Sequence, residues 1–339
     1  MASSRSAVPE HYVVPDFTQT KFDFHPTPAL LTGRIVVVTG SNVGLGLWTA
    51  IHLGKLDPKL LILAVRTVSK GETAKTEVAA KSGLAADRIQ VWELDLTSFD
   101  SVKAFAARVN SSLPRLDILC ENAGIASFDW QTTGDGWEAQ FQVNALSTGL
   151  LGVSLLPLLA KTAKLPQENG MKEFKPHLAI VGSGIHSAFT WEKNANAKSL
   201  LTDFNDRDSP NAKERYAFTK LVDNYLARKI SHLPDAQNVV VTAINPGLCV
   251  SELVRNAPDE MKHNLRSKAM PTEEGAKNIA WGSVAELSEK GAYINKMAVD
   301  EPSPFSLSPE GLELEEKLWK EMVELWIKTE PSVKQVLAK

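Results

Sequence analysis

Three short runs in this chain, RIVVVT (34–39), LLILAV (60–65) and NVVVTAI (238–244), are apolar at almost every position. A strand with one face in water alternates polar and apolar residues. A strand that is apolar throughout needs cover on both faces, as in a parallel sheet flanked by helices. Similar runs recur, placing strands near 34–39, 60–65, 89–94, 116–120, 178–182, 239–244 and 291–294, with amphipathic helical stretches between them. The fold class that follows is α/β, a doubly wound, mainly parallel sheet of about seven strands with helices on both faces. In such sheets ligands collect beyond the carboxyl ends of the strands, so the last residues of each strand are where chemistry is expected.

The 339 residues, 43% of them apolar, carry a net charge of −3, which gives no electrostatic bias toward nucleic acid. Residues 1–32, with Pro9, Pro15, Pro26 and Pro28 and no sustained period, read as an extended N-terminal arm. Residues 33–300 read as a single catalytic domain and 301–339 as a helical extension packed on it. In that extension Leu314, Leu318, Trp319, Met322, Val323, Trp326 and Ile327 share one helical stripe. Cys120 and Cys249 have no metal-ligand spacing and read as buried free thiols in a reducing compartment. The N-terminus shows no signal-peptide or anchor pattern. The greasy run 149–160 contains Pro157 and is shorter than the ~20 residues that span a bilayer. A buried helix in a soluble, cytoplasmic enzyme is expected. Two polar stretches, 184–212 and 252–270, read as substrate loops or as solvated insertions. Phe189, Trp191 and Met270 within them suit a substrate wall or a minor core.

Where the first strand ends, Thr39-Gly40-Ser41-Asn42-Val43-Gly44-Leu45-Gly46 leads into a helix. Unpaired N–H groups and the positive end of the helix dipole there suit a phosphate, and glycine lets a pyrophosphate approach the backbone. The spacing differs from the commoner G-x-G-x-x-G, and an ordinary tight turn is the alternative. After the second strand stands Arg66, where an acid would meet a ribose 2′-hydroxyl. A guanidinium there suits a 2′-phosphate and hence NADP(H), with Asn42 or Lys70 nearby; a surface arginine is the other reading. Asp95 and Leu96 end the third strand near an adenine position. Asn122, Ala123 and Gly124 follow the fourth and leave room beneath a ribose. Pro246, Gly247, Leu248, Cys249 and Ser251 follow the sixth in a rigid turn that could offer backbone groups to a nicotinamide amide. Tyr216 and Lys220 lie four apart on a helix, so the ammonium can act on the phenol and lower its pKa, making it a usable acid or base; a solvated helix face shows the same spacing.

Taken in order, TGSNVGLG, ENAG, VNALS, VGSG, YAFTK and NPG resemble the short-chain dehydrogenase/reductase family over roughly residues 33–300. Arg66 followed by KGE, and the long segment between Ser183 and Tyr216, are similar to the retinol-dehydrogenase-like branch and to fungal ketone and aldehyde reductases of secondary metabolism. The resemblance implies a Rossmann-type fold and a tetrad of Asn144, Ser183, Tyr216 and Lys220. Ser183 would hold the substrate oxygen and Tyr216 would protonate it. Lys220 would bind the nicotinamide ribose, and Asn144 would position a backbone kink and a water that relays protons to Lys220. Glu121, Gly182 and Ser251 depart from the family's usual asparagine, serine and threonine. The branch often carries an N-terminal membrane anchor, whose signature is missing here, which turns the expectation away from a membrane-held retinoid. His186, three residues past Ser183, acts in the site, lines it or bonds locally.

The expected activity is NADP(H)-dependent interconversion of a ketone or aldehyde with an alcohol on a lipophilic or aromatic small molecule, without metal, nucleic acid or membrane span. A secondary-metabolite tailoring ketoreductase fits this description. A non-catalytic NADP(H)-binding sensor, and an alcohol dehydrogenase or ene-reductase using the same site, are the alternatives. The family's helix–helix homodimer stays open, depending on whether 184–212 covers that face.

Overall fold

The computed structural model describes residues 13–166, 171–250, 253 and 259–338. Its first half alternates strictly: β1 (Ile35–Thr39), α1 (Gly44–Gly54), β2 (Leu60–Val65), α2 (Val68–Ser82), β3 (Ile89–Glu93), α3 (Phe99–Ser112) and β4 (Ile118–Glu121). A helical run then begins as α4 (Ala139–Phe141), widens into a π-helical turn at Gln142–Ser147 and continues as α5 (Thr148–Thr162). Next come β5 (His177–Val181), α6 (Leu200–Phe204), α7 (Arg215–Ser231), β6 (Val240–Asn245), α8 (Asp259–Arg266), α9 (Thr272–Gly282), β7 (Ala292–Asn295) and β8 (Ala298–Asp300). The chain closes with α10 (Pro304–Leu307), α11 (Pro309–Thr329) and α12 (Lys334–Leu337).

The strands form one sheet in the order β3-β2-β1-β4-β5-β6-β7-β8, parallel except for the last pair. Every residue of β1, β5 and β6 is buried, as continuous apolar runs require. One face carries Ile51 and Leu53 of α1, Val78 of α2 and Ile279 of α9. The other carries Phe105 of α3, Leu155 of α5 and Leu221 of α7. Strand order reverses between β1 and β4, which opens a crevice at their carboxyl ends. The eighth strand follows a tight turn in which Lys296 and Met297 both have positive φ (52° and 57°). Asn-Gly or Asp-Gly signals such a turn in sequence, and Lys-Met does not.

The run Ala139–Thr162 is long and apolar enough to cross a membrane, yet 83% of its most apolar window is buried inside the protein. It is a core helix, and α11 helps to cover it. The apolar stripe splits in depth: Leu314, Leu318, Met322 and Trp326 are buried, while Trp319, Val323 and Ile327 are half-buried. Trp326 donates its indole N–H to the Leu146 carbonyl (2.8 Å) and packs against Gly149, where a Cβ would lie 2.4 Å from the ring. Tyr225 of α7 donates to the Gly311 carbonyl (3.0 Å), and Arg228 pairs with Glu315 (2.6 Å).

The polar stretch 184–212 is tied together rather than open. Buried Asp203 accepts from Asn194 (2.8 Å), Ser209 (2.7 Å) and Asn211 (2.9 Å), and Glu321 of α11 accepts from the Leu200 and Leu201 N–H groups. Replacing Trp326 by Ala should cost about 3–5 kcal/mol through the cavity and the orphaned Leu146 carbonyl. A urea melt that leaves the midpoint unchanged would refute that role for α11.

Candidate active site

The turn after β1 is built around close approach. Gly40 and Gly44 both take φ of +63°. A Cβ on Gly40 would come within 2.8 Å of the Ala123 backbone, and one on Gly46 within 2.4 Å of the Gly40 carbonyl. A Cβ on Gly44 would meet nothing within 4 Å, because that residue faces the cleft. No side chain caps the first turn of α1, and that turn carries no acid, so its N–H groups are available to an anion. Asn42, Leu45 and Gly46 line the same cleft. Ser41 does not: it is buried and donates its hydroxyl to the Val38 carbonyl (2.9 Å). Thr39, which sequence reasoning passed over, accepts from the Ala123 N–H through its hydroxyl, while its carbonyl accepts from Asn122 (both 2.9 Å). The ends of β1 and β4 are thereby locked together.

Around the rim, Arg66 and Lys70 stand exposed at the start of α2. Asp95 is half-buried, its carboxylate accepting from the Thr97 N–H (2.9 Å) and hydroxyl (2.7 Å), and Leu96 lies beside it. Asn122, Ala123, Gly124, Pro246, Gly247, Leu248 and Cys249 complete this side. Ser251 lies outside the described residues. Burial pushes the Cys120 and Cys249 thiols up to about 12, so both are protonated and unreactive at neutral pH.

Ser183, two residues past β5, caps the short helical turn Gly184–Ala188. Asn245, at the end of β6, accepts from both the Gly184 N–H (2.9 Å) and the Gly247 N–H (3.0 Å), so one amide fixes the serine turn and the NPG turn together. Asn144 does not line the cleft. Set by the π-helical turn, it accepts from the Ile125 N–H (2.8 Å) and donates to the Ile125 carbonyl (2.9 Å) and the Thr219 hydroxyl (3.1 Å). It joins the loop after β4 to α7.

Tyr216, half-buried, and Lys220, buried, face the cleft from α7 opposite Ser183. The Lys220 ammonium donates to the Val181 carbonyl and to Asp223, each at 2.9 Å. Burial pushes the Tyr216 phenol above its ordinary value. Lys220 pulls the other way without offsetting that rise, and the Asp223 carboxylate adds to it. The lowered phenol expected from spacing is therefore not what these groups produce by themselves, because spacing reveals neither the burial nor the second charge.

His186 lines the cleft with both ring nitrogens engaged. Its Nε2 accepts from the Ser303 N–H (2.9 Å), so the ring proton sits on Nδ1 and is donated to the Ser183 carbonyl (2.7 Å). Phe189 is a core residue among Phe204, Phe218 and Phe305. Met270 is fully buried over Gly247, and Trp191 lies under Lys193. None of the three lines the cleft, and of 184–212 only residues 184–187 do. The cleft also has a wall the sequence did not announce: Val14, Pro15, Asp16, Phe17 and Thr20 of the arm line it, with the Phe17 N–H donating to the Lys268 carbonyl (2.7 Å).

A short chain dehydrogenase family model matches residues 34–165. The short chain dehydrogenase/reductase dmxR8 of Cryptosporiopsis sp. (strain 8999) is 34% identical over 89% of this chain and 93% of its own length. This chain belongs to the short-chain dehydrogenase/reductase family. The short chain dehydrogenase sol3 of Alternaria solani is 35% identical over 81% of this chain and 93% of its own. Among solved structures, the Pseudomonas aeruginosa RhlG/NADP active-site complex superposes with a TM-score of 0.57 at 23% identity, covering 80% of this chain and 96% of that one. An uncharacterised protein from Mycobacterium paratuberculosis gives 0.60 at 23% identity over 92% and 95%. At that identity the likeness is one of fold.

The neutral His186 ring links the serine turn to the segment before α10, and burial holds its pKa below the ordinary value. The unfolded chain binds a proton more readily than the folded one, so this contribution is complete above about pH 6.5 and is lost as pH falls below it. The stability advantage of the wild type over His186→Phe should therefore shrink on acidification. An advantage that is constant between pH 8 and 5 would contradict the assignment.

Proposed function

We propose that this protein is an NADP(H)-dependent oxidoreductase that interconverts a ketone or aldehyde with an alcohol on a lipophilic or aromatic small molecule, as a tailoring ketoreductase of secondary metabolism would. The observation that carries the reading is the convergence of Ser183, Tyr216 and Lys220 on the wall of the same cleft that begins at the glycine turn. At about 1280 Å³ the cleft exceeds the roughly 300–1,000 Å³ usual for one small ligand, which suits a dinucleotide and a substrate together. The glycine turn and the uncapped start of α1 fit a pyrophosphate, and Arg66 with Lys70 fits a 2′-phosphate. Ile125, Val143, Ile185, Leu265 and Tyr293 supply apolar surface to the remaining wall, beside the charged Arg266, Lys296, Asp300 and Glu301.

When bound, the nicotinamide supplies the hydride. Ser183 donates a hydrogen bond to the substrate oxygen, and Tyr216 gives that oxygen its proton as negative charge develops there. Preorganised donors of this kind favour the transition state over the ground state. Lys220 keeps a positive charge beside the phenol, and Asn144 holds the loop and helix that set the spacing. We read 33–300 as the catalytic domain, with the arm and 301–339 covering it. Two unpaired thiols suit a cytoplasmic setting.

Replacing Tyr216 by Phe should lower carbonyl reduction by roughly 10²–10⁴-fold and leave NADPH binding nearly unchanged. Full biological function in that variant would favour a binding-only role. Arg66→Ala should weaken NADPH relative to NADH by roughly tenfold or more, the worth of a charge-assisted bond. Equal affinity of the wild type for the two cofactors, measured by fluorescence titration, would remove the NADP(H) assignment.

A further inference from the structure

Beneath the Tyr216–Lys220 pair lies a second pair of ionisable groups that the reaction as described does not use. Asp223 follows Lys220 by three residues on α7 and shares its inward face; it is 1% exposed, and Lys220 is 6% exposed. Glu121, the last residue of β4, points into the same layer and is 3% exposed. Its Oε2 lies 3.5 Å from where a Cβ on Gly152 would sit, at a distance similar to that of Leu178 and Ile230. Among the described residues no group donates to either of its carboxylate oxygens.

A buried carboxyl that nothing donates to cannot hold its charge cheaply, so Glu121 keeps its proton while Asp223, bonded to the Lys220 ammonium, carries the charge. With Lys220 positive, Asp223 negative and Glu121 neutral the cluster sums to zero. With both acids ionised it would bury a net negative charge. We propose that Asp223, backed by the buried Glu121 carboxyl, is a positioning residue that fixes the Lys220 ammonium and, together with it, sets the proton-donating strength of Tyr216. The inference rests on the reading of Tyr216 and Lys220 as the proton-handling pair. The hydrogen bonds support it: Val181 and Asp223 each take one of the three ammonium hydrogens, leaving one for the cleft.

Groups from each neighbouring element face the cluster. From α7 come Tyr216, Lys220 and Asp223, from β4 Glu121, from β5 the Val181 carbonyl, and from α5 Gly152. Cys120 sits on the opposite face of β4 as a protonated thiol. Burial and the neighbouring Asp223 push Glu121 well above the carboxylate range, and burial raises Asp223 to about 6 against the pull of Lys220.

Two measurements test the proposal. In Asp223→Asn the charge that raises the phenol is gone, so the alkaline limb of the carbonyl-reduction pH profile should move down by about one pH unit, and Asp223→Glu should restore it. A limb that stays in place in folded Asp223→Asn overturns the positioning role. Independently of turnover, infrared difference spectra at neutral pH should show the C=O stretch of a protonated carboxylic acid that Glu121→Gln removes and Asp223→Asn keeps. A band that persists in Glu121→Gln, or is missing from the wild type, overturns the assignment of Glu121. Full activity in Tyr216→Phe would instead sink the underlying reading while leaving the infrared result to stand.

Discussion

An ammonium taken out of water must be met by donated charge and oriented dipoles, and much of this site follows from how that requirement is satisfied at Lys220. The Val181 carbonyl at the end of β5 and the Asp223 carboxylate one helical turn along together pin the head group. Because Val181 belongs to the sheet and Lys220 to α7, the first of these bonds ties the helix to the strand end, while the Asp223 bond stays within the helix. The placement of Tyr216 opposite Ser183 is then a matter of helix geometry. Asn144, buried in its π-helical turn, ties α7 to the loop after β4 from the other side. A reactive phenol is positioned by groups that do not touch it.

The sheet was legible because burial on both faces leaves an uninterrupted apolar run, a signal that survives without any knowledge of partners. The glycine turn and the residues at the strand ends were legible for a related reason: a backbone that must pass within 3 Å of another backbone tolerates only glycine, as at Gly40 and Gly46. The Tyr216–Lys220 spacing was equally visible. What spacing does not show is depth. Asp223 and Glu121 look like ordinary surface acids until the helix is docked, and only then does their desolvation enter the electrostatics of the phenol.

Other parts were hidden because polar composition reads as solvent exposure. In 184–212 the polar groups satisfy one another around Asp203, so the segment forms a small knot on the C-terminal helix instead of a mobile cover for the cleft. Asn245 and Thr39 bond to backbone groups distant in sequence, and no local pattern announces such partners. The arm is the same case in apolar form: Phe17 has a role only because the Lys268 backbone and Gly247 lie across from it.

The docking of Trp326 bears on how the molecule is made. Its indole, beside Leu226, fills the space left open at Gly149, in the helical layer between α5 and α7. A ribosome that has delivered the whole sheet has therefore delivered a body with a gap in one flank. Maturation of that layer awaits the closing segment of translation, and a nascent chain stalled shortly before residue 326 would expose leucine-rich surface to chaperones.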